Sequence, residues 1–132
     1  MAPQAFSAYL TNILPPLVAP GQGEVVSTKH SATDAITAHA GGGQANGVLL
    51  TSVFNRITVV GTAGDSVKMP AAKAGLMLTI ANADSTDSAN VFPASGEKFN
   101  EGSADAAFAL AANKRMIAFC VVDGTWSTIL TA

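Results

Sequence analysis

"GTAGDSVKMPAAKAGLMLTIANADSTDSANVFPASG", Gly61 to Gly96, sets short apolar runs between breaks made of Gly, Pro, Asn and Asp. Three β-prone runs fall inside it, Ser66 to Met69, Leu76 to Ala81 and Ala89 to Phe92, and no helix of ordinary length is required between them. In "LMLTI", Leu76, Leu78 and Ile80 share one face while Met77 and Thr79 share the other. That period of two predicts a central strand with one face more deeply buried. The stretch offers no evident catalytic group.

The same punctuation runs outward in both directions. Glu24 to Lys29, Asp34 to His39, Val48 to Phe54, Arg56 to Gly61, Ala106 to Ala111, Arg115 to Val122 and Thr125 to Thr131 complete a series of short strands. Turn signals at intervals of roughly 8 to 12 residues predict an all-β fold, an antiparallel β-sandwich or jelly-roll-like barrel. Asp123-Gly124, between two apolar runs, predicts a type I′ hairpin turn. The predicted core comprises Val59, Leu76, Leu78, Ile80, Val91, Phe108, Ile117, Phe119, Val121 and Trp126. "GGGQANG", residues 41 to 47, reads as a flexible connection, because Val48 and Leu49 follow where a phosphate loop needs Lys and Ser or Thr.

Residues 1 to 23 differ from the rest: four prolines and two glycines exclude a long helix or a central strand and predict an extended N-terminal arm. Residues 24 to 132 then form a single β domain. Phe6, Tyr9, Leu10, Ile13 and Leu14, followed by Pro15, Pro16 and Leu17, make too small a core to fold alone. Leaving them in water costs about 25 cal/mol per Å² of apolar surface. The arm is therefore expected to dock, either on its own domain or on a neighbouring subunit, and these eight residues are the candidate partner- or subunit-binding set.

Composition narrows the function classes. Of 132 residues, 48% are hydrophobic and only 12% charged, with seven Lys and Arg against nine Asp and Glu. No basic stripe forms, which argues against a nucleic-acid partner. The N-terminus lacks a basic n-region, and Pro15, Pro16 and Pro20 interrupt its apolar stretch, so neither a signal peptide nor a membrane span is expected. A single cysteine, Cys120 in "RMIAFCVVDG", excludes an internal disulfide framework and reads as a small buried hydrophobe.

Candidate chemistry is sparse. His30, Asp34 and His39 in "KHSATDAITAHA" would make a metal set only if adjacent strands gathered them, and a polar strand edge explains the same residues. Asp84, Asp87, Glu97, Glu101 and Asp105 lie in turn segments without EF-hand spacing, and a glycosidase pair would need aromatic platforms the chain lacks. They read as solvated turn carboxylates. No catalytic, cofactor-binding or metal-binding residue is expected, and the chain does not read as an enzyme.

"NRITVVGTAGDSVKMPAAKAGLMLTIANADSTDSANVFPASGEKFN" and "FALAANKRMIAFCVVDGTWSTI" together resemble a β-rich module of virion proteins of tailed bacteriophages. The resemblance covers about Asn55 to Ile129 and rests on "TAGDSVKMPAA", "IANA", "NVFPASG", "ALAANK" and the final Gly-Thr-Trp. Asn113 stands where a turn glycine is expected. The resemblance implies a structural virion protein, made in the bacterial host cytoplasm and located on the outer surface of the capsid. In that setting it would be a decoration or cement protein that stabilises the head, with the major capsid protein and copies of itself, as a homotrimer, for partners. The alternative it implies is a receptor- or glycan-binding module of a head or tail fibre, with a pocket around Gly41 to Gly47. One module with one short arm fits decoration better than a long repetitive fibre.

Overall fold

The structure, a computed structural model, describes residues 29–132. Ten strands and no helix occur among them: β1 (Ala32–Thr37), β2 (Val48–Leu49), β3 (Phe54–Val59), β4 (Ser66–Lys68), β5 (Met77–Asn82), β6 (Ala89–Phe92), β7 (Lys98–Phe99), β8 (Phe108–Leu110), β9 (Arg115–Val122) and β10 (Thr125–Leu130). The chain is all-β.

The strands form a six-stranded sheet ordered β1-β3-β5-β9-β10-β7 and a four-stranded sheet ordered β2-β4-β6-β8. From β1 to β6 the chain alternates between the two sheets. Pairing is parallel along β1, β3 and β5 in one sheet and along β2, β4 and β6 in the other. Each pair of strands is thus one coil of a short β-solenoid. Antiparallel strands close its C-terminal end: β8 on β6, and the β9–β10 hairpin on β5.

This mixed, coiled arrangement replaces the expected antiparallel sandwich or jelly roll. A turn signal shows that the chain leaves a strand but not which sheet it enters next. Here consecutive strands such as β3 and β4 lie in different sheets and do not pair with each other. The predicted run Val48 to Phe54 likewise divides: β2 ends at Leu49, the chain rounds a corner, and Phe54 opens β3. The two-residue strand β7 has no sequence signal of its own. Of the predicted run at residues 24–29, only Lys29 lies within the described residues, and it joins no strand.

Both sheets feed one hydrophobic cluster, with Ile57, Ile80, Met116, Ala118 and Trp126 from the larger sheet and Val67, Val91 and Leu110 from the smaller. Equivalent positions of successive coils stack inside it. Ile36 faces Ile57, and Ile57 faces Asn82. At one corner the Leu50 amide donates to the Lys68 carbonyl and the Met69 amide to the Phe92 carbonyl, each at 2.8 Å, which carries the ladder past the strand ends. The buried Asn82 is satisfied: its side-chain amide donates to the carbonyls of Asp87 and Leu110, and its oxygen accepts the Asp84 amide.

Three details differ from the sequence expectation. On β9, Met116, Ala118 and Cys120 point inward, whereas Ile117 and Val121 are exposed and Phe119 is half-buried. Burial alternates along the strand with the inward face opposite to the expected one, because both faces of that strand are apolar. Val59 and Leu76, also predicted core, are exposed, and Phe108 is only partly buried. At the hairpin, Gly124 alone has a positive φ, 85°, so the turn is not type I′, which requires two such residues. Asn113 adopts φ 61°, the left-handed conformation that asparagine tolerates in place of the expected glycine.

The inverted face gives an experimental contrast. Met116→Ala is expected to cost about 2–5 kcal/mol in urea unfolding, as for a fully buried large-to-small change, and Ile117→Ala less than about 1 kcal/mol. Equal losses would restore the predicted orientation.

Candidate functional site

Strand pairing carries one row of side chains across the outside of the larger sheet. Ala32 faces Phe54, Phe54 faces Thr79, Thr79 faces Ile117, and Ile117 faces Ile129. Phe54, Ile117 and Ile129 retain 44%, 40% and 58% of their surface exposed to solvent. Met77 and Phe119 form the next pair on the same side. Alternation along each strand fixes this face: wherever Asn55, Leu78, Ile80, Met116 or Ala118 turns inward, its neighbours must turn out. Towards one end of the rows Arg56 pairs with Asp34 at 2.9 Å, and Arg115 stands one strand beyond Ala81. A contiguous apolar area of this kind marks an interaction surface more often than scattered exposed residues do.

A second apolar feature lies where the chain rounds the corner between the sheets. Leu49, Val53, Pro70, Leu76 and Met77 line a groove of about 360 Å³ together with Ser31.

Of the carboxylates expected to be solvated, Asp84, Glu97 and Asp105 are instead engaged with backbone amides, as are Asp65 and Asp123, whereas Asp87 takes only the Thr86 hydroxyl and Glu101 is exposed. Asp65, nearly fully buried, accepts from the amides of Gly41 and Thr62 and from the Thr62 hydroxyl. Asp84 accepts from the amides of Val60, Thr86 and Asp87. Glu97 accepts the Ala72 amide, and Asp105 the Gly96 amide and the Gln44 side chain. Asp123 takes the Ala74 amide and pairs with Lys73. These contacts set acidity. The amides of Asp87, Thr86 and Val60 hold the Asp84 carboxyl far below the usual range. Burial pushes Asp65 up, but the Thr62 amide and hydroxyl and the Gly41 amide outweigh it and leave the group lowered. Asp105 is lowered by Gln44 and Gly96, and Asp123 by the Ala74 amide and then Lys73.

The remaining sequence candidates do not converge. The His30 ring packs edge-on against Phe54, Asp34 pairs with Arg56, and the His39 backbone bridges to Ser66. Among the described residues no group of three or more His, Cys, Asp or Glu side chains is placed to hold a metal ion. Cys120 is buried, its thiol pushed up chiefly by burial. The loop at residues 41–47 is tied down: Gln44 donates to the Pro93 carbonyl and Asp105, and the Ser66 hydroxyl donates to the Gly43 carbonyl. Phe6, Tyr9, Leu10, Ile13, Leu14, Pro15, Pro16 and Leu17 lie outside the described residues. No helix among the described residues is long and apolar enough to cross a membrane. Comparison with family models, curated proteins and solved structures returns no match.

The lowered carboxylates imply acid sensitivity of a definite sign. A group whose folded pKa lies below its unfolded value, about 3.9 for Asp, stabilises above that value and loses its contribution as pH falls through the folded pKa. Calorimetry is expected to show a steady melting temperature from about pH 7 to 5 and a decline below about pH 4. In Asp84→Asn the melting temperature at pH 7 should drop and the acid decline should flatten.

Proposed function

We propose that the chain is a non-enzymatic structural virion protein, a decoration or cement protein that binds the outer surface of a tailed-phage head. Its partners in this reading are the major capsid protein and further copies of itself, arranged as a homotrimer. The observation that carries the proposal is the exposed row Phe54, Ile117 and Ile129 on a rigid sheet. The resemblance of residues 55 to 129 to a phage virion module supports the setting.

The physical logic is that of a preformed docking face. A sheet in which β3, β5 and β9 are each paired on both sides loses little freedom on binding, so the apolar area it buries is not offset by a large ordering cost. A formal net charge of −2 keeps repulsion between neighbouring copies small, which suits dense packing on a shell. Local threefold positions of a capsid lattice favour a cyclic trimer. The arm residues Phe6, Tyr9, Leu10, Ile13, Leu14 and Leu17 lie outside the described residues, and their apolar side chains suit a contact with the capsid, a subunit or the chain's own body.

Co-sedimentation with phage heads purified without the protein tests the proposal. The intact chain is expected to pellet with heads at saturable stoichiometry. Ile117→Lys is expected to weaken binding by about tenfold or more with an unchanged melting temperature. Absence of the intact chain from the pellet overturns the proposal, and binding to host-surface glycans instead of heads would favour the fibre reading. Light scattering at micromolar concentration should give the mass of a trimer.

A further inference from the structure

The corner groove has an occupant within reach. Leu49, Leu76 and Met77 in its wall are exposed, and no charged residue lines it. Ser31 stands at its lip, where its carbonyl accepts the Phe54 amide and its hydroxyl the Val53 amide, each at 3.0 Å. Lys29, the first described residue, is thus only two residues from the edge of the groove. That upstream segment has no Asp, Glu, Lys or Arg before Glu24, and it carries Phe6, Tyr9, Leu10, Ile13 and Leu14. An uncharged apolar groove is thus tethered to an uncharged apolar segment.

We propose that the groove is the seat of this chain's own N-terminal segment, with side chains from Tyr9 to Leu14 inserted between the two corners. The tether is long enough. About fifteen residues separate Leu14 from Lys29, a reach of roughly 50 Å at about 3.3 Å per residue. Six strands at about 4.8 Å spacing span only about 24 Å. Gly21 and Gly23 allow the chain to reverse direction between arm and body. A tether of this length presents the segment at an effective concentration in the millimolar range. A second copy or another protein at micromolar concentration must bind roughly a thousandfold more tightly to displace it. This contact does not depend on the virion reading. It assigns the arm of the free protein to its own body and leaves the sheet face for a partner.

Disulfide trapping in the full chain tests the seat directly. With Cys120→Ala removing the native thiol, Leu76→Cys is combined in turn with Tyr9→Cys, Leu10→Cys or Ile13→Cys and oxidised at low micromolar concentration. At least one pair is expected to close within a chain, giving a faster-migrating monomer whose yield does not change with protein concentration. Dimers that increase with concentration would make a second copy the occupant and overturn the proposal. Absence of cross-linking in all three pairs would also overturn it. Independently, with the native cysteine retained, Leu10→Asp with Ile13→Asp is expected to speed amide hydrogen exchange at Leu49 to Val53 and at Leu76 to Met77 by about tenfold or more. Unchanged exchange there, or protection that appears only when phage heads are added, counts against a seat within the chain.

Discussion

Corner amides are the groups this fold has to satisfy. Each time the chain crosses from one sheet to the other it leaves both ladders, and its N–H groups lose the partners that strands supply. Carboxylates take their place. Asp65 holds the Gly41 amide of one coil and the Thr62 amide of the next, Asp84 reaches back to Val60, Glu97 to Ala72, and Asp123 to Ala74. Successive coils are thereby joined at their corners as well as along their strands. The stacking is close enough to dictate residue type: a Cβ on Gly42 would lie 2.9 Å from the Gly64 carbonyl oxygen, and the φ of +67° there also favours glycine.

Local features were legible in the sequence, and non-local ones were not. Ala89–Phe92 and Arg115–Val122 begin and end where their β-prone runs do, because strand limits follow from turn residues and branched side chains that are visible in line. Which strand lies beside which depends on loop paths the sequence does not mark, so parallel coils were read as an antiparallel sandwich. The corner carboxylates were missed for a related reason. An aspartate in a turn looks the same on paper whether water or the amide of a preceding coil fills its lone pairs. Of the proposed binding surfaces, the arm lies outside the described residues, and the sheet face is hidden in the sequence by the assignment of Ile117 to the interior.

That misassignment is itself informative. On β9 the chain had two apolar sets to choose from, and the inward one, Met116, Ala118 and Cys120, is less bulky than Ile117, Phe119 and Val121. Small residues recur across the interior, as Ala38, Ser66 and Ala89 are also buried. The larger set is left on the outside of the larger sheet. Exposed side chains of that size forgo the roughly 1.5–3 kcal/mol that full burial of each would contribute. Selection for stability alone would place polar residues there, since an antiparallel or mixed sheet with one solvated face ordinarily alternates apolar and polar positions.

Apolar residues kept on a solvated face point to a covering that lies outside the body, and the charge distribution points the same way. Twelve per cent charged residues leave little to hold identical copies apart or to keep an uncovered face in solution. The two apolar surfaces differ, however, in what can reach them. In the proposed seat the corner groove, with Ser31 at its lip, takes its cover from the same chain at millimolar effective concentration. The Phe54, Ile117 and Ile129 row runs across neighbouring strands of the larger sheet, and in the proposed reading another broad surface covers it. In the proposed reading, stacked coils thus divide their apolar exterior into a groove for the chain's own N-terminal segment and a face for assembly.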